Sequence, residues 1–225
     1  MQVMAFADIH GFTPAFGRLA AELAAADLIL LAGDLTNFGH APAAREFFAA
    51  LQRHLDRVLA VTGNCDYPDV APVCAEAGVL LNRTHRAFGG VVVLGLEASL
   101  PCPAKTPCEF TERQLADLLA EAAAGAPVGP PWVLMAHQPP LQTNADVCYG
   151  GEHVGSQSVR QFIETHRPRL CVCGHIHEGR SVDQLGETVV VNVGSLRNGH
   201  YGTFTLDPTS GAVSAVTLRT LTAPH

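Results

Sequence analysis

Positive charge is scarce in this chain of 225 residues. Charged residues make up 16%, with 14 Lys and Arg against 21 Asp and Glu, for a formal net charge of −7 with His neutral. General binding to a nucleic-acid backbone calls for a basic face, so this composition argues against that class. No block of like charge marks a tail, and there is no internal repeat or low-complexity tract. No apolar run approaches the roughly 18 residues that a membrane span needs. The apolar start, Met1 to Ala7, has no basic stretch before it and reads as a first strand, not a signal peptide. The seven cysteines (Cys65, Cys74, Cys102, Cys108, Cys148, Cys171 and Cys173) are odd in number and irregularly spaced. A reduced, cytoplasmic protein is the simplest account. Cys102 and Cys108 flank a loop, and free thiols are expected there over a bridge.

What is present is apolar: 48% of the residues are hydrophobic. That suits one compact α/β domain over residues 1–225 with a sizeable core. Residues 2–7 read as a buried strand. Thr13 as N-cap with Pro14 after it opens a helix to about Ala26. Leu28 to Ala32 is a second strand, Pro42 opens a helix to about Leu55, Val58 to Val61 is a third strand, and residues 69–77 form a short helix. Two short strands surround Gly89-Gly90. Thr111-Glu112-Arg113-Gln114 has capping-box form and starts a helix to about Ala123. Trp132 to Ala136 is a strand, residues 141–155 a long loop, and Ser156 caps a helix to about His166. A strand at 169–173 follows, with strand-like runs at 188–193, 202–206 and 213–218 in the tail. Strand and helix alternate as in a mainly parallel sheet, whose ligands bind at the carboxyl ends of the strands.

The strand ends carry the chemistry. The first strand ends in Asp8 and His10, the second in Gly33-Asp34, the third in Gly63-Asn64-Cys65-Asp66. The strand at 132–136 ends in His137, and the one at 169–173 in Gly174-His175-Ile176-His177. Asp8, His10, Asp34, Asn64, His137, His175 and His177 offer carboxylates, imidazoles and one amide oxygen. Such donors suit Mn, Fe, Zn or similar first-row divalent metals without strong selection among them; two ions, Mn or Fe first, with Zn and Ni as alternatives, are expected. Seven ligands exceed what one ion takes while keeping an open position. They suit two ions about 3.5–4 Å apart, which bind two phosphate oxygens and generate hydroxide near neutral pH. Phosphoester hydrolysis by a metal-bridging hydroxide is the expected chemistry.

The ordered series Asp-x-His, Gly-Asp, Gly-Asn-x-Asp, His and Gly-His-x-His, from residue 8 to residue 177, resembles the calcineurin-like metallophosphoesterase family. The resemblance implies a four-layer α/β/β/α sandwich, with two mixed β-sheets flanked by helices. It also implies a partition of ligands: Asp8, His10 and His177 on one metal, Asn64, His137 and His175 on the other, Asp34 bridging. Many family members carry His directly after the Asn of the third motif, where it helps to bind phosphate and to protonate the leaving group. Cys65 stands there instead and is a poor replacement for that acid. A Gly-Asn-Cys-Asp version is similar to that of small bacterial and archaeal phosphodiesterases of the family.

Several residues are candidates beyond the ligands. His153, in the loop 150–156, is the first candidate for the missing general acid, against a plain solvent-exposed histidine. Asp66 is expected to anchor its loop, with a catalytic role as the lesser reading. Asn64 and Arg197 are candidate substrate contacts, Arg197 through a guanidinium fork on phosphate. His40 is a candidate for lining the cleft. His54, His85, His166, His200 and His225 are read as ordinary. The expected substrate is a small phosphoester, nucleotide-like among the options and more readily a diester than a monoester, with no membrane partner. A phosphomonoesterase is the alternative. A non-catalytic protein-binding scaffold of the same fold is a competing class, against which the full ligand set argues.

Overall fold

The structure is a computed structural model and describes residues 1–221; His225 lies outside them. In chain order the strands are β1 (Gln2–Phe6), β2 (Leu28–Ala32), β3 (Val58–Val61), β4 (His85–Phe88), β5 (Val91–Leu96), β6 (Trp132–Ala136), β7 (Leu170–Cys173), β8 (Ser181–Leu185), β9 (Thr188–Asn192), β10 (His200–Leu206) and β11 (Val213–Thr220). The helices are α1 (Pro14–Arg18), α2 (Ala20–Ala25), α3 (Ala41–Ala50), α4 (Val70–Glu76), α5 (Glu112–Ala123) and α6 (Gln157–His166).

One sheet has the order β11-β10-β1-β2-β3 and the other β4-β5-β6-β7-β9-β8. Strands β1, β2 and β3 pair in parallel, as do β5, β6, β7 and β9. Antiparallel β11, β8 and β4 close the edges. Strand alternation decides which layer each side chain joins. On β1, Val3 and Ala5 meet Leu28, Leu30, Met135 and Val172 between the sheets. Met4 and Phe6 face the other way, into a layer with Phe16, Leu23 and Phe47. Val92, Leu94 and Leu96 of β5 pack beneath α5 and α6 against Leu115, Leu119 and Phe162. The result is the α/β/β/α sandwich expected from the resemblance. Strands covered on both faces read as continuous apolar runs, which is why β1 to β3 stand out in the sequence. Emptying one such position, as in Leu31→Ala, costs about 2–5 kcal/mol.

The element boundaries depart from the sequence reading in three places. The helix expected from Pro14 to Ala26 breaks at Leu19 (φ −97°, ψ 13°) into α1 and α2, and Thr13 makes no side-chain cap hydrogen bond. Gly17 weakens the helix just before the break, and the kink lets Phe16, Leu19 and Leu23 all reach the core. The helix expected to reach Leu55 ends at Ala50 and passes into a 3₁₀ turn, Gln52–Arg57. Strand β8 has no counterpart in the sequence reading. It is an edge strand of sequence SVDQL that pairs only with β9, so it lacks the apolar signature of a buried strand. The caps at Thr111 and Ser156 form as expected, Ser156 accepting from the Val159 amide. All seven cysteines are free.

Candidate metal centre

Parallel strands end on the same side, so the loops after β1, β2, β3, β6 and β7 converge. The backbone there is unusual. Asp8, His10, Asp34 and His175 all have positive φ, at 48°, 46°, 51° and 64°. Side-chain-bearing residues rarely adopt this region, and each costs free energy that the surroundings must offset. Four such residues in one cluster aim their side chains at a common point. Glycine permits the close approach: a Cβ on Gly174 would lie 2.6 Å from Asp8 Oδ2 and would also strike Ala7. Gly63 likewise leaves room for the Asp34 carboxylate.

The seven predicted donors are brought together. Three overlapping groups have their ligand atoms within 4.8 Å of one another: Asp8, His10 and His177; Asp8, Asp34 and His137; and His10, Asp34 and Cys65. Asp34 Oδ1 is 3.5 Å from His137 Nε2, and its Oδ2 is 3.8 Å from His10 Nε2. His177 Nε2 is 3.4 Å from Asp8 Oδ1. The rings of His10 and His177 are 5.5 Å apart, and those of His137 and His175 are 5.2 Å apart. Asp8, Asp34, Asn64 and His137 are buried, with none above 3% exposed.

Two features show that this donor set fits cations. His137 Nδ1 lies 2.8 Å from the Ala32 carbonyl oxygen, which can only accept, so this nitrogen carries the proton. In the neutral ring the other nitrogen, Nε2, turns a lone pair toward Asn64 Oδ1 at 2.8 Å. Two acceptors pointed into one space suit a metal ion, and the carbonyl fixes the tautomer that ligation needs. His10 supplies the second feature: its Nε2 faces Asp34 Oδ2 at 3.8 Å, beyond hydrogen-bond distance.

The electrostatics agree with a site shaped for positive charge. Burial raises Asp34 above the usual carboxylate range, and the Asp8 charge adds to this against the pull of His137. Burial also acts on Asp8, but the hydrogen bond from His177 and the neighbouring imidazoles outweigh it and leave Asp8 low. Burial, with His137 nearby, pushes His175 down to about 3, so its imidazole is neutral and available. The Asp8 hydrogen bond raises His177.

The remaining candidates fall in different places. Asp66 accepts from the Leu35 and Thr36 amides at 3.0 and 2.8 Å, the Thr36 hydroxyl at 2.7 Å and the Gly63 amide at 2.8 Å. Both its oxygens are committed to joining the second and third loops. Cys65 donates its amide to Asp34 Oδ1 at 2.8 Å, and burial beside Asp34 drives its thiol far above the ordinary value. Exposed Arg197 follows β9 and reaches Asn37 Oδ1 at 3.4 Å, near enough for its charge to act on His10. His153 Nδ1 lies 2.7 Å from the buried carboxylate of Asp146. His40 stacks on Tyr67 at 4.1 Å with Nδ1 3.2 Å from Asp69. Among the described residues, no hydrogen bond or ion pair joins His153 or His40 to the seven donors. The sequence reading missed Asp146, which also accepts from the Gln142, Thr143 and Gly155 amides and folds the 141–155 loop. It also missed Thr106 and Glu109, which lie behind Asn64.

Fold and site together define a metallo-dependent phosphatase type. The family model described as calcineurin-like phosphoesterase matches residues 1–179. An uncharacterized protein of Methanocaldococcus jannaschii, MJ1162, is 33% identical over 196 residues, covering 85% of this chain and 87% of that one. The crystal structure of TT1561 of Thermus thermophilus has a TM-score of 0.72 at 20% identity, covering 97% of this chain and 98% of that one. Phosphopantetheinyl hydrolase of Mycobacterium tuberculosis has a TM-score of 0.61 at 15% identity, covering 87% and 90%. These two structures are similar to this chain in fold. The chain belongs to the calcineurin-like phosphoesterase family, whose members are dimetal-dependent phosphoester hydrolases. Among the described residues, no helix is long and apolar enough to cross a membrane.

Proposed function

We propose that this chain, acting as one domain, hydrolyses small phosphodiesters with two divalent ions. The observation that carries the reading is the approach of His137 Nε2 to Asn64 Oδ1, 2.8 Å apart, inside a buried cluster of carboxylates and imidazoles. Asp8, His10 and His177 would hold one ion, Asn64, His137 and His175 the other, and Asp34 both. When bound, the ions supply Lewis-acid polarisation of phosphate oxygens and bring water toward a pKa of about 7. The oxygen and nitrogen donors suit first-row divalent ions without selecting strongly among them; Mn or Fe is the first choice to test, with Zn and Ni as alternatives.

The chain's own groups do the rest. Asp8 and Asp34 place two buried negative charges at the centre. Asp66 ties the second and third loops together, so Asp34 and Asn64 keep their spacing. Arg197 stands exposed where its fork can take a phosphate oxygen. The group after Asn64 is Cys65, a poor replacement for the histidine acid that many family members carry there. A substrate with a good leaving group, or a diester, then suits the site better than an alkyl monoester. Nucleotide-like diesters are the first class to try, and His153 is the first replacement acid to test. The reduced thiols suit a cytoplasmic protein.

The experiment compares bis-p-nitrophenyl phosphate with p-nitrophenyl phosphate, using chelated protein reconstituted with Mn²⁺. Metal-dependent turnover that favours the diester is expected. Turnover that favours the monoester overturns the diester preference, and no turnover with any of the four metals overturns the enzymatic reading.

A further inference from the structure

We propose that Thr106 and Glu109 are positioning residues that decide which end of the Asn64 amide faces the metal centre. The proposal rests on the dimetal reading above.

An asparagine amide has an acceptor at one end and two donors at the other, and only Oδ1 can ligate a cation. Without metal, the local geometry favours the wrong end. A neutral His137 gives its one proton to Ala32, and its Nε2 then offers a lone pair 2.8 Å from the Asn64 amide. A flipped amide would donate Nδ2–H to that lone pair and bury a good hydrogen bond. Something must hold the amide the other way.

The holder comes from the loop between β5 and α5. Asn64 Nδ2 donates to Thr106 Oγ1 at 3.0 Å. The direction of this bond follows from the next residue in the relay. Glu109 Oε1 takes the Thr106 amide at 2.7 Å, the Thr106 hydroxyl at 2.7 Å and the Cys102 thiol at 3.2 Å. An ionised carboxylate only accepts, and a threonine hydroxyl has one proton. That proton goes to Glu109, so toward Asn64 the hydroxyl shows only lone pairs. It therefore accepts from Nδ2 and would meet a flipped Oδ1 lone pair to lone pair. Burial pushes Glu109 up, but the bonds from Thr106 and Cys102 outweigh it and hold the group at about 2, ionised throughout the working range. The loop is registered on its target by its backbone as well: the Cys108 amide donates to the Asn64 carbonyl at 3.0 Å. The other neighbour of Nδ2 is Cys65 Sγ at 3.6 Å, a weak acceptor.

Titration of the chelated full chain with Mn²⁺ alone, by calorimetry, tests this. Wild type is expected to bind two ions. Thr106→Val keeps the shape of the side chain and removes the acceptor. One of the two binding events should weaken by about 10–100-fold, the usual size for loss of a residue that orients a ligand, while the other is unchanged. Thr106→Ser should restore it. Glu109→Ala, which frees the hydroxyl to donate, should weaken the same event and stands in if the valine variant does not fold. In an Asn64→Asp background either carboxylate oxygen can face the ion, so adding Thr106→Val should no longer weaken binding. Two full-strength events in both folded variants overturn the proposal, as does failure of Thr106→Ser to rescue or an undiminished effect beside Asn64→Asp. Fewer than two ions bound by wild type overturns the dimetal reading first, before any variant is compared.

Discussion

Replacing Asp34 with Asn separates what the metal centre costs from what it does. The side chain is almost fully buried. Its Oδ1 accepts the Cys65 amide at 2.8 Å, and its Oδ2 lies 3.8 Å from His10 Nε2. An amide keeps this shape: its oxygen can still face Cys65 while its NH₂ turns toward His10. Only the charge is lost. Burial, with Asp8 alongside and against the pull of His137, raises the Asp34 carboxyl above its ordinary value of 3.8. A carboxyl raised on folding makes the native state less favourable as pH climbs past that value, and at pH 7 the penalty is present. Metal-free D34N should therefore melt above metal-free wild type. With Mn²⁺ the order inverts. At free metal about 100 times Kd, each ion adds about 2.7 kcal/mol, so two add about 5 kcal/mol. For a chain of this size that is a rise of roughly 10–20 °C. D34N should show almost none of it, and its hydrolysis of a p-nitrophenyl diester should fall at least about 10³-fold, or about 4 kcal/mol. Thermal melts in chelator and in Mn²⁺, with the same preparations assayed for turnover, read all three effects. A D34N chain that melts below wild type without metal, or that keeps a wild-type shift with it, refutes the reasoning.

Arg197→Ala should raise KM for a diester about tenfold, about 1.4 kcal/mol, with melting unchanged because the residue is exposed; an unaltered KM removes it from substrate binding. His153→Ala should slow substrates with poor leaving groups much more than those with good ones, and equal slowing counts against proton donation. Glu109 is held at about 2, below its ordinary 4.5, so the stability it contributes is complete above pH 4.5 and is lost as pH falls toward 2. Glu109→Gln should show a smaller drop in melting temperature between pH 5 and pH 3 than wild type, and identical drops contradict the relay of bonds from Thr106 and Cys102.

The parts legible in the sequence are those where local chemistry and global position coincide. Strands β1 to β3 are apolar on both faces because both faces are covered, so their ends, and the donors placed there, could be read directly. Residues that act through tertiary contact left no such trace. Thr106 and Glu109 sit in a Pro- and Cys-rich loop with no metal-like spacing, and Thr106 lies 42 residues from its partner Asn64 in the chain. Asp146 looks like any loop acid until the three amides and the His153 ring are seen around it. Edge strand β8 lacks the apolar run that marked its neighbours. His40 follows the Gly33-Asp34 motif closely, yet the structure pairs it with Tyr67 and Asp69. The missing Cβ of Gly174 makes room for Asp8, a contact between distant parts of the chain that no local pattern announces.

On the proposed function, seven donors from five loops hold two ions that act together. Mn²⁺ titrated into chelated protein, with bound metal and diester turnover followed in the same samples, tests it most directly. Two ions per chain are expected, with turnover rising only as the second site fills. Full turnover at one ion per chain, or no binding by the intact cluster, would contradict it.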